Sequence, residues 1–311
     1  MPTVSVVIPT YRDADVLERA IDGVLDQTLS SIEVLVVDDG SPDDVEAVED
    51  AIDDERVTFL HHETNRGASA ARNTGIEHAS GRYVSFLDAD DEWLPEKVER
   101  QVATLETRSS DWVAAYCGVE SVFSGRSAPV VSLLASLVSR RGRTAGAEGG
   151  SELVADVLAD RLHTSAGSTL LVRRDVAEAV GGFDASFERF QDPEFLIRVL
   201  REGKLAYVDA PLVRRHESGH PPADRVRAAD EHYLQTFADT VDRLEARGVD
   251  VTGAHRLVLA RRYLAEGAFL TGLSYLSSAR RPTLRQWPGL LNVVCTGLVH
   301  RLSATRTSGR A

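Results

Sequence analysis

Short apolar runs alternate with stretches of helical periodicity through the first hundred residues, and this alternation restricts the possible folds more than any other feature of the chain. Val4-Ser5-Val6-Val7-Ile8, Glu33-Val34-Leu35-Val36-Val37, Val57 to Leu60 and Tyr83-Val84-Ser85-Phe86-Leu87 are rich in β-branched and aromatic residues and close on polar turn residues, as buried strands do. Between them, Leu17, Ile21, Val24 and Leu25 recur at helical spacing, Val45 to Ile52 makes a short helix, and Ala68 to Ala79 makes a longer one. Pro95 predicts the first turn of a further helix with Val98, Val102 and Leu105 on one face. Such βα alternation implies an α/β fold with a mainly parallel, Rossmann-like sheet.

Two acidic clusters follow strands in this pattern: Asp38-Asp39-Gly40-Ser41 and Asp88-Ala89-Asp90-Asp91. The carboxyl ends of strands border the ligand crevice of an open α/β sheet, so acids placed there point to a metal ion and a nucleotide. In isolation each cluster also reads as a polar turn capping the next helix.

Later segments are less regular. Ser124 to Gly150, with Arg140, Arg141 and Arg143 among small residues, reads as a loop or insertion. A strand at Thr169 to Val172, a short helix from Asp175, a helix from Asp192 to about Arg201 and a strand at Leu205 to Val208 restore α/β character. Helical segments follow near Ala223 to Arg247 and Gly253 to Ser278, with a last amphipathic stretch after Pro282. The expected division is an α/β domain over 1–220 and a helical region over 221–311.

Of the 311 residues, 43% are hydrophobic and 27% charged, the balance of a globular protein, and no apolar run approaches the roughly 20 residues that span a bilayer. The chain opens directly on a strand, so no secretory signal is expected and the active site is expected to face the cytoplasm. Cys117 and Cys295 are far apart, which argues against a disulfide framework or zinc-thiolate site. A formal charge of −13 disfavours binding to nucleic acid. Only Lys97 and Lys204 are lysines; an acidic, arginine-biased surface suits a salt-rich, halophilic cytoplasm, and high genomic GC content gives the same bias. No Asp or Glu follows Glu266, whereas Arg280, Arg281, Arg285, Arg301, Arg306 and Arg310 do. With Leu290, Leu291, Val293, Val294, Leu298, Val299 and Leu302, that segment fits either an interfacial helix on anionic lipid or a helix packed on the protein.

In order, the chain gives Val6-Val7-Ile8-Pro9-Thr10-Tyr11, Val36-Val37-Asp38-Asp39-Gly40-Ser41, Asn65-Arg66-Gly67 through Arg72-Asn73-Thr74-Gly75, Phe86-Leu87-Asp88-Ala89-Asp90-Asp91, Gly181-Gly182-Phe183-Asp184 and Gln191-Asp192. This order resembles the family 2 glycosyltransferases, which have the GT-A fold, over roughly residues 3 to 216. The resemblance implies a metal-dependent, inverting transfer of a single sugar from a nucleoside diphosphate sugar. It places Pro9, Thr10 and Tyr11 around base and ribose and Asp39 as acceptor for a base N–H; an imide N–H between two carbonyls suits a carboxylate, so uracil is the expected base, and thymine offers the same edge. Arg72 and Arg215 would hold phosphate or sugar, Asp88 and Asp90 with His216 would hold Mg²⁺ or Mn²⁺, and Asp192 would be the catalytic base.

The family base commonly stands in a Glu-Asp pair; here Gln191 replaces the first acid and leaves Asp192 alone. The processive Gln-x-x-Arg-Trp signature is absent. A sugar-1-phosphate nucleotidyltransferase is the rival enzyme, but it needs a basic, glycine-rich loop where Pro9-Thr10-Tyr11 stands; a non-catalytic carbohydrate-binding protein would have lost the acids that are present. A glycan or polyprenyl- or dolichyl-linked acceptor, in protein N-glycosylation or surface polysaccharide assembly, and an anionic membrane surface are the expected partners.

Overall fold

The computed structural model describes residues 1–122, 146–216 and 221–282, and beyond these residues 287, 289, 290, 293, 294, 296–298 and 301. Most of the expected loop at 124–150, Cys295 and much of the segment after Pro282 lie outside the described residues. The chain divides into two compact units, Met1–Val154 with Thr164–Ser218, and Ala155–His163 with Gly219–Ala311.

The first unit is built on an eight-stranded sheet of order β3-β2-β1-β4-β7-β6-β8-β5. The strands are β1 (Val4–Thr10), β2 (Ile32–Asp38), β3 (Val57–His61), β4 (Tyr83–Phe86), β5 (Glu92–Trp93), β6 (Trp112–Val122), β7 (Leu171–Arg173) and β8 (Lys204–His216). The helices are α1 (Ala14–Leu25), α2 (Val45–Ala51), α3 (Ala68–His78), α4 (Lys97–Glu106), α5 (Val154–Leu158), which begins in this unit and passes into the second, α6 (Ala166–Thr169), α7 (Arg174–Ala179) and α8 (Gln191–Glu202).

β1 pairs in parallel with β2 and β4, and β2 with β3, as the alternation implies. The other half of the sheet is mixed: β7 is antiparallel to β4 and β6, β8 parallel to β6, and β5 antiparallel to β8. Strand β6 has no counterpart in the sequence reading, because Trp112-Val113-Ala114-Ala115-Tyr116-Cys117 lacks both β-branched density and alternation. β8 runs well past Val208, paired with β6 as far as Val122↔His216, and absorbs Pro211 opposite Gly118 at a register shift. α4 starts at Lys97, not Pro95: Pro95 and Glu96 form a turn in which the Lys97 N–H donates to the Leu94 carbonyl at 3.1 Å. The sheet centre is mainly apolar, with Ser5 and Ser85 buried in it, and α1 and α4 cover it with Leu17, Ile21, Val24, Val98, Val102 and Leu105.

The second unit contains α9 (Ala223–Thr236), α10 (Ala238–Glu245), α11 (Val251–Ala265) and α12 (Phe269–Ser277). The two long helical segments expected there each break once, at Phe237 and at Gly267, whose φ of 78° ends α11. Leu257, Leu264 and Leu290 form one small buried cluster in it, with Phe269, Leu276, Val293 and Val294 against it, so part of the apolar C-terminal stretch packs on α11 and α12. A buried Asp230–His255 pair joins α9 to α11, and His255 Nε2 meets the Leu158 carbonyl at 2.8 Å. Among the described residues no helix is long and apolar enough to cross a membrane.

Candidate active site

Because β1, β2 and β4 are parallel neighbours, their carboxyl ends emerge side by side, and β1 lies where the strand order reverses, the usual crevice of such sheets. A cleft of about 560 Å³ opens there, lined by Pro9, Thr10, Tyr11, Asp13, Asp39, Asn65, Gly67, Ala68, Ala71, Arg72, Asp88, Ala89 and Asp90. The predicted nucleotide residues of the first ninety positions are thus brought together.

Helix α3 organises the cleft. Gly67, at φ 91°, admits the chain to the helix, and its N–H donates to Asp39 Oδ2 at 2.7 Å while the Arg66 N–H donates to Oδ1 at 2.9 Å. Four consecutive residues then reach four different places. Arg72 Nη2 donates to Asp88 Oδ1 at 2.6 Å, and its Nη1 lies 3.7 Å from Asp192 Oδ1. Asn73 exchanges two hydrogen bonds with the backbone of Phe183, at 2.7 and 2.8 Å, fixing the Gly181-Gly182-Phe183 turn. Thr74 Oγ1 is 2.9 Å from His62 Nε2, and Gly75 lies against Val7 of β1. The Phe183 ring sits 5.2 Å from the Arg72 guanidinium and stacks on Phe195 of α8, tying the turn to the helix that bears Asp192.

Asp192 occupies the first turn of α8 and lines a second hollow of about 230 Å³ with residues 188–193, while its Oδ2 accepts the Gly167 N–H at 2.9 Å. A Cβ on Gly167 would fall 2.7 Å from Asp88 Oδ2 and 3.1 Å from Arg72 Nη2, so the missing side chain keeps space open beside both. Burial pushes the Asp192 carboxyl above its ordinary value and Asp88 adds to this; Arg72, the Gly167 N–H and Arg215 oppose it. Thr10 Oγ1, Arg72 Nε and Nη1, Asp192 Oδ1 and His216 Nε2 are buried without a hydrogen-bond partner. Unpaired buried polar atoms are costly, and their concentration here marks a surface shaped for a polar ligand.

His216 and Arg215 end β8 outside the lining of the cleft; Arg215 Nη1 reaches Ser165 Oγ at 3.5 Å, and the His216 N–H donates to Asp91 Oδ1 at 3.3 Å. Asp88, Asp90 and His216 are not gathered as the sequence reading grouped them: among the described residues no three His, Cys, Asp or Glu side chains lie close enough to hold a metal ion. Of these three, only Asp88 and Asp90 line the cleft, a pair of hard oxygen donors that suits Mg²⁺ or Mn²⁺ sharing its other positions with phosphate and water. The buried Asp91 receives the Ser168 hydroxyl at 2.6 Å, and burial pushes its carboxyl up to about 7.

Sequence reasoning missed several of these residues. His61 and His62, at the end of β3, each take one of the paired acids at the end of β2: His61 Nδ1 lies 3.3 Å from Asp38 and His62 Nδ1 lies 2.6 Å from Asp39. The Asp38↔His61 register makes the match, and the dipeptide His61-His62 was the available signal. Gly167 and Ser168 had none, being small residues in an unpatterned stretch.

A family model described as Glycosyl transferase family 2 matches residues 5–181. The chain belongs to glycosyl transferase family 2. Among curated proteins, this family 2 member is 39% identical over 121 residues to the uncharacterized glycosyltransferase RP339 of Rickettsia prowazekii, covering 39% of this chain and 37% of that one. It is 36% identical over 107 residues to WfaP of Escherichia coli, a UDP-Glc:alpha-D-GlcNAc-diphosphoundecaprenol beta-1,3-glucosyltransferase, covering 34% and 43%. The matches thus span about two fifths of those relatives. The fold is shared with the mannosyltransferase PcManGT from Pyrobaculum calidifontis, solved with GDP-Man and Mn²⁺, at a TM-score of 0.61, 19% identity and coverage of 97% and 87%. It is shared also with S. aureus TarS 1-349, solved with UDP, at 0.56, 16%, 97% and 92%. At these identities the likeness establishes the GT-A fold of the family 2 chain.

Proposed function

We propose that this family 2 member transfers one sugar from a UDP-sugar to a hydroxyl of a glycan or lipid-linked acceptor, with inversion at the anomeric carbon. The observation that carries the reading is Arg72, buried between Asp88 of the acidic motif and Asp192 of α8, with no hydrogen-bond partner on Nε or Nη1. On this reading one cation stands between a donor-side acid and an acceptor-side acid, where a sugar diphosphate needs charge neutralised.

Thr10, Tyr11 and Asp39 hold the nucleoside, with Pro9 shaping the end of β1, and Arg72 and Arg215 hold the diphosphate or sugar. Asp88 and Asp90 would hold Mg²⁺ or Mn²⁺, which when bound offsets negative charge gathering on the leaving diphosphate. Asp192 takes the acceptor hydroxyl proton as that oxygen bonds the anomeric carbon and the bond to the diphosphate breaks, its electron pair leaving with UDP. The upward push on its pKa makes it a stronger base once ionised. The name of WfaP describes a UDP-sugar donor and a diphosphoundecaprenol acceptor, which supports this substrate class. Assembly of a lipid-linked glycan at the cytoplasmic face of a membrane is the setting this reading favours.

Titrating the purified protein with individual nucleotide sugars, with and without Mn²⁺, tests the donor assignment; absence of binding to every one of them sinks it. Asp192→Asn should keep donor affinity within about threefold while lowering turnover by about 10²-fold or more. Transfer at the wild-type rate would refute the base assignment.

A further inference from the structure

We propose that His62 sets the base specificity of the donor site, by leaving Asp39 a single open acceptor position that fits the imide edge of uracil or thymine and rejects guanine. The inference rests on the reading of Asp39 as the base-binding acid.

An ionised carboxylate offers about four lone-pair positions, two on each oxygen. Three of those on Asp39 are taken within the protein. Oδ1 receives the Arg66 N–H at 2.9 Å and His62 Nδ1 at 2.6 Å, and Oδ2 receives the Gly67 N–H at 2.7 Å. One position remains, on Oδ2. His62 cannot readily swing away, because its side chain is 6% exposed, its Nε2 meets Thr74 Oγ1 at 2.9 Å, and its backbone N–H donates to the Asp38 carbonyl at 2.8 Å. Since a carboxylate only accepts, Nδ1 carries a proton and donates to Asp39, while Nε2 and the Thr74 hydroxyl share a hydrogen bond.

The bases differ in what they bring to such an acid. Uracil and thymine present one N–H between two carbonyls, which one open position satisfies. Guanine presents N1–H beside its N2 amino group, a two-donor edge that pairs with both oxygens of a free carboxylate. With Oδ1 filled, one of those donors is desolvated and left unpaired, a mismatch costing roughly 10-fold to 100-fold in affinity. Cytosine and adenine present a ring nitrogen lone pair where uracil presents its N–H, so the ring atom repels the carboxylate and only the neighbouring amino group can donate. His62 therefore does more than steady Asp39: it removes the oxygen that a guanine would need.

The test measures dissociation constants for UDP and GDP by calorimetry in the wild-type protein and in His62→Ala, His62→Asn and Asp39→Asn. Wild type should prefer UDP by about 10-fold or more. His62→Ala should shrink that preference to about threefold or less, chiefly through tighter GDP binding, whereas His62→Asn, whose amide can still donate to Oδ1, should keep it. Tighter GDP binding is a gain that damage to the fold does not produce. Equal affinities in wild type, or an undiminished preference in His62→Ala, overturn the proposal. Asp39→Asn isolates the underlying reading: UDP binding unchanged in that variant removes Asp39 from base recognition, whereas weakened UDP binding there with undiminished selectivity in His62→Ala removes only the role of His62.

Discussion

Lys97, one of two lysines in the chain, is wholly buried. Its Nζ donates to Ser85 Oγ at 3.2 Å and Gln101 Oε1 at 2.9 Å and stands 3.5 Å from the centre of the Trp93 ring. Burial lowers its pKa from 10.5 to about 7. Between those values the unfolded chain binds the proton that the folded chain has released, so this group adds stability as pH rises from about 7 to 10.5, by at most on the order of 5 kcal/mol. Chemical denaturation of Lys97→Met across that window should show a flatter pH dependence than wild type. Gly75→Ala should destabilise by about 1–3 kcal/mol, because the new Cβ would lie 2.3 and 2.6 Å from the Val7 methyls; an unchanged denaturation midpoint would refute this. At this scale the acids were legible and their partners were not. Asp39 and Asp88 stand out because acids end apolar runs, whereas His62 reaches Asp39 across 23 positions and only β-sheet register reveals the contact.

Elements were legible in proportion to their periodicity. β1, β2 and α1 carry dense β-branched or amphipathic patterns and are found where expected, whereas β6 is written in alanine and aromatic residues that carry no period. The helices of the second unit break at Phe237 and Gly267, which interrupt no hydrophobic repeat strongly enough to be noticed. Its buried Asp230–His255 pair has a pH signature opposite to that of Lys97. Burial pulls the His255 pKa down, but the bond and charge of Asp230, the Leu158 carbonyl and Asp160 outweigh it, and the net shift is upward from 6.5. A raised folded pKa means that the stabilisation is fully present below about 6.5 and is lost as pH rises through the folded value. Amide protection factors in α9 and α11, taken after division by the intrinsic exchange rate at each pH, should therefore be largest on the acid side of neutrality, and Asp230→Asn should flatten that profile.

At the scale of the molecule, an acidic chain ends in a segment without acids. Helix α12 contains no charged residue, Leu270 and Leu273 on it are 87% and 54% exposed, and Arg280 and Arg281 follow. On the proposed reading, this neutral, apolar face, preceded by Glu266 and followed by two cations, would meet the surface of an anionic bilayer. Leu270→Asp with Leu273→Asp should reduce co-flotation with anionic vesicles severalfold while leaving nucleotide affinity unchanged; equal flotation on zwitterionic vesicles would argue against the electrostatic share. The parallel half of the first unit was readable in advance because dense β-branched strands end in acidic turns, while the second unit offered only helical periodicity. Helix α3 holds the readable half together, with Arg72, Asn73, Thr74 and Gly75 pinned to Asp88 and Asp192, to Phe183, to His62 and to Val7. Each added residue turns a helix by about 100°. A single insertion ahead of Arg72 would leave the helix intact as a helix and yet misalign all of these attachments at once, so its length is as much a part of the site as any side chain.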